Sequence, residues 1–115
     1  MKIYHNPRCS KSRETLNIIL ESNIKPDICL YLDNPLSIEE IKYILKLLNT
    51  SPKNIIRKNE EVYKRLNLKN ANETTLIKMI HKNPILLERP IVVSKNKAIL
   101  GRPPENVRQL INNKS

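Results

Sequence analysis

Met1-Lys2-Ile3-Tyr4-His5-Asn6-Pro7-Arg8-Cys9-Ser10-Lys11-Ser12-Arg13 is the stretch on which the reading of the fold turns. Lys2 to His5 is a short strand candidate closed by Asn6-Pro7, and Lys11 to Ser22 then reads as a helix with Leu16, Ile19 and Leu20 along one side. Cys9 therefore falls at a strand-to-helix turn. Asp27 to Leu32 (Asp-Ile-Cys-Leu-Tyr-Leu) reads as a second strand, and its nearly continuous apolar character predicts burial on both faces of a sheet. A strand, a short crossover helix and a strand demand a parallel pair with the helix on one face.

Downstream, Ser37 begins a capping box with Glu40, and Ile38, Ile41, Leu45 and Leu48 recur at helical spacing through Asn49. Ser51-Pro52 starts a short helical piece through Ile55, Ile56 and Arg57, and Glu60 to Leu66 forms another. Asn72 can cap a helix carrying Leu76, Met79 and Ile80 that ends by Asn83-Pro84. Pro90 to Val93 then reads as a strand, paired with Lys97 to Leu100 across Ser-Lys-Asn. Pro103-Pro104 opens a terminal helix with Val107, Leu110 and Ile111 inward. The single glycine, Gly101, is available for a turn after the last strand. The whole is β-α-β, a helical insert over about residues 37–83, then β-β-α. That is the layout of a thioredoxin-like α/β fold with a mixed four-stranded sheet, expected as one domain over residues 1–115.

Size and composition agree with this layout. The chain has 115 residues, 39% of them hydrophobic and 28% charged, as expected for one folded domain. Phe and Trp are absent and Tyr numbers four, which excludes the multi-aromatic platforms that stack single-stranded nucleic acid. Lys and Arg exceed Asp and Glu by 21 to 11, a formal charge of +10. These charges are spread along the chain instead of blocked into a stripe, so no specific nucleic-acid partner is expected, while steering of anionic substrates is. Two cysteines are too few for a disulfide framework, and no apolar run reaches signal-peptide or membrane-spanning length. A cytoplasmic protein with no membrane association is the expectation.

The chemistry concentrates on Cys9. A cysteine at a helix N-terminus meets unpaired N–H donors and the positive end of the dipole, and both favour thiolate. Arg8, Lys11 and Arg13 crowd the same turn. Cys9-Ser10-Lys11-Ser12 is C-x-x-S, so no second thiol can close a local disulfide. Ser12 can either donate its hydroxyl to the thiolate or stand solvated in the first turn. Cys29, mid-strand among apolar residues, reads as core packing. His81, late in a helix, reads as a dipole complement, and two histidines with two cysteines show no paired zinc-ligand spacing, so no metal site is expected.

His5 to Arg13, Leu30-Tyr31-Leu32, Ile56-Arg57-Lys58, Asn83-Pro84-Ile85-Leu86, Glu88-Arg89-Pro90-Ile91-Val92-Val93 and Gly101-Arg102-Pro103-Pro104-Glu105 together resemble the ArsC arsenate reductase family, most nearly its compact YfgD-like members, from about Ile3 to Ile111. The resemblance implies a glutaredoxin-coupled arsenate reductase whose catalytic cysteine is Cys9. It implies that arsenate is bound by Arg57, Arg89 and Arg102, whose planar forks suit oxyanions. Pro90 matches the family's cis-proline, and His5, Asn6, Ser12 and Pro90 are expected to support the site. No tightly bound cofactor is implied. Glutathione is the expected co-substrate and glutaredoxin the expected partner. Two other functions stay open at this stage: a glutathione-linked thiol oxidoreductase acting on another oxidant, and an RNA-polymerase-binding module like the related Spx regulators. Spx proteins sense redox state through C-x-x-C, which Ser12 interrupts here.

Overall fold

Breaks at Asn34-Pro35 and Glu88-Arg89 divide the chain into two compact units, Met1–Asn34 together with Arg89 onward, and Pro35–Glu88. The computed structural model describes residues 1–112, so residues 113–115 of the expected domain lie outside it. In chain order the elements are β1 (Lys2–His5), α1 (Ser10–Glu21), β2 (Asp27–Leu30), α2 (Ile38–Leu48), α3 (Glu61–Arg65), α4 (Glu73–Lys82), β3 (Ile91–Ser94), β4 (Lys97–Leu100) and α5 (Arg108–Asn112), with short 3-10 turns between some of them.

The first unit holds the whole sheet, in the order β2-β1-β3-β4. β1 and β2 run parallel with Ile3 opposite Ile28, as the α1 crossover requires, while β3 is antiparallel to both β1 and β4. Ile3, Ile19, Val92, Val107 and Leu110 form its buried cluster. Each aliphatic side chain taken fully out of water contributes about 1.5–3 kcal/mol, so this cluster is what fixes α1 against the sheet.

Four expectations for this unit are corrected. β2 stops at Leu30 and lies at the sheet edge, where Ile28 is 50% and Leu30 37% exposed. A continuous apolar run does not distinguish an edge strand from a central one, because periodicity carries no information about how many neighbours a strand has. Cys29 on this strand is accordingly half-buried and not sealed in the core, with its Sγ 3.9 Å from the Asn34 carbonyl oxygen. On α1, Leu20 faces outward at 47% exposure, and the inward side carries Ser12, Thr15 and Ile19. Hydroxyls can be buried there because they are bonded: Thr15 Oγ1 donates to the Lys11 carbonyl at 2.8 Å. Finally, Gly101 serves a close approach and not a left-handed turn. A Cβ at this position would stand 2.6 Å from Thr15 Oγ1 and 2.7 Å from Pro90 Cγ, and the backbone φ is not positive.

The second unit contains the segment expected as the insert. Its α2 begins with the full capping box: Ser37 Oγ accepts from the Glu40 N–H at 3.0 Å, and Glu40 Oε1 accepts from the Ser37 N–H at 3.3 Å. The helix ends on Asn49 in the left-handed region at φ 55. Asn72 caps α4 by accepting from Thr75 N–H at 2.8 Å. The expected helical piece through Arg57 is shorter than the sequence suggested. A 3-10 turn covers Pro52–Asn54, after which Ile56 bridges Leu87 antiparallel and the Arg57 N–H donates to the Leu86 carbonyl at 2.7 Å. Buried Ile55, Ile56, Leu86 and Leu87 favour an extended pairing that satisfies this backbone without a helix.

Candidate active site

The site is built on the turn from β1 into α1. Asn6 Oδ1 accepts from the Arg8 N–H at 3.0 Å, the Cys9 N–H donates to the Asn6 carbonyl at 3.0 Å, and Arg13 Nη1 donates to the Pro7 carbonyl at 2.9 Å. These bonds fold Asn6 to Cys9 into a fixed loop. They leave Cys9 at the N-cap of α1 with extended backbone angles, φ −97 and ψ 122. A cysteine there lies against the helix's first unpaired N–H groups.

The sulfur is buried, and burial by itself pushes a thiol up. Here the opposing influences outweigh it. The Ser12 backbone N–H, the Arg89 guanidinium through both a hydrogen bond and its charge, and the Lys11 backbone N–H bring the Cys9 thiol below its ordinary value. Arg89 is therefore the cation that acts on the sulfur. The crowding of Arg8, Lys11 and Arg13 has a different use: Arg13 braces the loop, and the Lys11 ammonium sits 3.9 Å from Glu14 on the surface. Lys11 acts on Cys9 through its backbone.

The Ser12 hydroxyl is turned away from the role of thiolate donor. It accepts from the Asn6 N–H at 3.0 Å and lies 2.6 Å from His5 Nδ1. Burial first, and the Arg13 charge second, hold the His5 pKa below its ordinary 6.5. A neutral imidazole can take the Ser12 hydroxyl proton at Nδ1 while the Ser12 oxygen takes the Asn6 N–H. His5, Asn6 and Ser12 thus form one buried link that ties the end of β1 to the first turn of α1.

Arg89 has a further property. Its Nε and Nη1 atoms are buried without a hydrogen-bond partner. Buried donors are nearly always bonded, and leaving one unmet costs about 1–3 kcal/mol. An arginine in this state has donors free for an anionic acceptor. The Arg89–Pro90 peptide bond is cis, and Pro90 is buried with its carbonyl accepting from the Gly101 N–H at 2.8 Å. Arg102, exposed, donates from Nη1 to the Arg89 carbonyl at 3.2 Å, which brings a second guanidinium to the same turn. Thr15 and Gly101, which sequence reasoning did not assign to the site, make the close approach beside Pro90 possible.

Arg57 belongs to the second unit and has a different environment. Its Nη1 lies 2.8 Å from Glu60 Oε2 and its Nε 3.7 Å from Glu88 Oε1, with 27% of the side chain exposed. The spacing of Arg57 and Glu60 in sequence could have signalled that pair; Glu88 could not have been found without the bridge between Ile56 and Leu87. Among the described residues no cluster of three or more His, Cys, Asp or Glu could hold a metal ion, and no helix is long and apolar enough to cross a membrane.

Known proteins resemble this chain along nearly its whole length. Residues 4–110 match the model of the ArsC family. The chain is 46% identical over 114 residues to the protein YfgD of Escherichia coli K12, which is described as uncharacterized, covering 96% of each chain. It is 44% identical over 112 residues to an arsenate reductase of Haemophilus influenzae, covering 95% of this chain and 97% of that one. A solved arsenate reductase from Vibrio cholerae superposes with a TM-score of 0.91 at 41% identity over 94% of both chains. The thioredoxin-like α/β arrangement with a mixed four-stranded sheet, expected from the sequence, is the fold. With the family model spanning nearly the whole chain and Cys9 set at its helix end, this protein belongs to the ArsC family.

Proposed function

We propose that the protein is an arsenate reductase that uses Cys9 as its nucleophile, with glutathione as co-substrate and glutaredoxin as the reductant that regenerates the enzyme. The observation that carries this reading is Arg89, two of whose buried nitrogens lack an acceptor and whose guanidinium helps to hold the Cys9 thiol below its ordinary value. An arsenate oxygen offers that acceptor, through charge-assisted hydrogen bonds that the guanidinium fork makes well. The relatives named arsenate reductase supply the substrate class.

The chemistry balances as follows. Cys9 thiolate attacks arsenic, an S–As bond forms, and an arsenate oxygen leaves as water after taking up protons, with arsenic still pentavalent. A glutathione thiolate then attacks the Cys9 sulfur. The S–As bond breaks with its electron pair passing to arsenic, which departs as trivalent arsenite, and a Cys9–glutathione disulfide remains. Glutaredoxin thiols exchange with that disulfide and restore the Cys9 thiolate. C-x-x-S leaves no neighbouring thiol to do this internally. Arg89 and Arg102 hold the oxyanion from one turn, the family resemblance assigns Arg57 as a third guanidinium, and the His5-Asn6-Ser12 link fixes the loop that carries the sulfur. No resident cofactor is needed, and glutathione dependence suits a cytoplasmic location.

The test is arsenate-dependent NADPH oxidation coupled through glutathione, glutaredoxin and glutathione reductase. Turnover by the wild type that Cys9→Ser abolishes is the expected result. A wild type no faster than Cys9→Ser rejects the activity. Turnover that requires Cys9 but responds to another oxidant and not to arsenate rejects the substrate alone.

A further inference from the structure

A cavity of about 850 Å³ lies wholly within the second unit and is lined by none of the residues assigned above to arsenate chemistry. Its floor is hydrocarbon: Ile56, Leu68 and Leu76 are core residues that show only an edge to it. Half-buried Tyr63 and Ala71 make up an apolar wall. Around the opening stand three exposed lysines, Lys53, Lys58 and Lys69, against a single carboxylate, Glu73. Among the described residues no carboxylate oxygen comes within 4.0 Å of any of these three ammonium groups.

Two independent features thus converge. Organic ligands are bound in cavities of about 300–1,000 Å³ with apolar walls and a few polar groups for orientation, and this cavity lies inside that range. Lysine stems lie along apolar surface while their charged heads stay at the edge, so three unpaired heads around one hydrocarbon floor create an electropositive mouth over a greasy base. A purely apolar guest would leave the mouth without a counter-charge, and inorganic phosphate or arsenate would leave the floor uncovered. We propose that this cavity is a binding site for a small amphipathic organic anion, with an alkyl chain or aromatic ring against Ile56, Leu68 and Leu76 and a carboxylate facing Lys53, Lys58 and Lys69. The proposal is independent of the reductase reading, since it uses neither Cys9 nor Arg89.

Decanoate, below the concentration at which it forms micelles, is the probe, and amide chemical shifts of the full-length ¹⁵N-labelled protein are the readout. Saturable shifts confined to amides around Lys58 and Leu68 to Leu76 are expected, with an unchanged dissociation constant in Cys9→Ser. Reversing two rim charges, Lys53→Glu with Lys69→Glu, should weaken decanoate about tenfold or more, the equivalent of a modest Coulombic loss at a partly solvated rim. Ala71→Trp, which places a ring in the cavity, should remove the saturable shifts. The spectrum of each variant reports directly whether it folds. Decyltrimethylammonium, with the same chain and the opposite charge, should bind at least tenfold more weakly than decanoate. Linear shifts without saturation, shifts spread over the sheet, or equal binding of the two surfactants would overturn the proposal. So would a Lys53→Glu, Lys69→Glu protein that folds and binds decanoate like the wild type.

Discussion

Arg89 and Arg57 are the same residue type in opposite electrostatic conditions. Arg89 lies in the sheet-bearing unit, drawing the Cys9 thiol below its ordinary value while its own Nε and Nη1 are buried and without acceptors. Arg57 lies in the helical unit, its charge answered by Glu60 at 2.8 Å and Glu88 at 3.7 Å. A guanidinium with unmet donors is a standing cost to the fold, and it becomes favourable only when an anion arrives. A guanidinium already paired is stable at rest and must exchange one acceptor for another to bind anything else. If both bind arsenate as proposed, the first is ready for an oxyanion and the second must first leave its carboxylates, so removing each should have consequences of different size and kind.

The largest effect belongs to Arg89→Ala. Loss of one preorganised donor to developing oxyanion charge typically costs about 10²–10³-fold in rate, and kcat/KM for arsenate is expected to fall by that much. The same change removes both the hydrogen bond and the charge by which Arg89 lowers the Cys9 thiol, while burial still raises it. The rate of Cys9 alkylation by iodoacetamide, followed against pH, should therefore have its midpoint below the ordinary thiol value in the wild type and a distinctly higher one in the variant. A midpoint that does not move would show that Arg89 is no more poised than Arg57, and the contrast between them would be broken.

Next in size are changes to the supports of that corner. Gly101→Ala sets a methyl 2.6 Å from Thr15 Oγ1 and 2.7 Å from Pro90 Cγ, and overpacking of this kind costs about 1–3 kcal/mol. Urea denaturation should show the loss. An unchanged midpoint would mean that the turn yields, and that the position of Arg89 is less tightly held than its unmet donors suggest. Ser12→Ala leaves the Asn6 N–H without its oxygen acceptor and His5 without its partner, a loss of about 1–2 kcal/mol. The pH dependence has a definite sign. His5 in the folded protein resists protonation, with its pKa held below 6.5, whereas the unfolded chain takes up the proton near that value. Between the two pKa values the unfolded state binds more protons, so stability falls as pH drops through 6.5 and below. His5→Asn should flatten that decline.

The legibility of these features differs by physical cause. The crossover β1-α1-β2, the capping box at Ser37 and the cap at Asn72 could be read because each is enforced by residues adjacent in sequence. Cys9 at a helix start was legible for the same reason. Exposure of Ile28 and Leu30 was not, because edge position is a property of strand order. Nor were the buried hydroxyls of α1, which a hydrophobic pattern assigns to the surface until their partners are seen, the Lys11 carbonyl that accepts from Thr15 and the Asn6 N–H that donates to Ser12. The cation that acts on Cys9 was placed by sequence among its neighbours and proves to be Arg89, eighty residues away along the chain and brought there by the pairing of β1 with β3.

The smallest expected effect tests the gate on Arg57. Glu60 and Glu88 are partly exposed, and such pairs contribute about 0.2–1 kcal/mol. Glu60→Gln removes the nearer charge while keeping a side chain of the same shape that can still accept from Nη1. If the pair competes with substrate, weakening it makes Arg57 easier to transfer to an arsenate oxygen. KM for arsenate should then fall, by at most about fivefold for a difference of that size, with kcat nearly unchanged. The alkylation profile of Cys9 should stay where it is, because neither Arg57 nor Glu60 is among the groups that shift the thiol. A rise in KM with the same profile would reverse the interpretation: Glu60 would then be holding Arg57 in position for the anion, and its ion pair would be an aid to binding instead of a competitor.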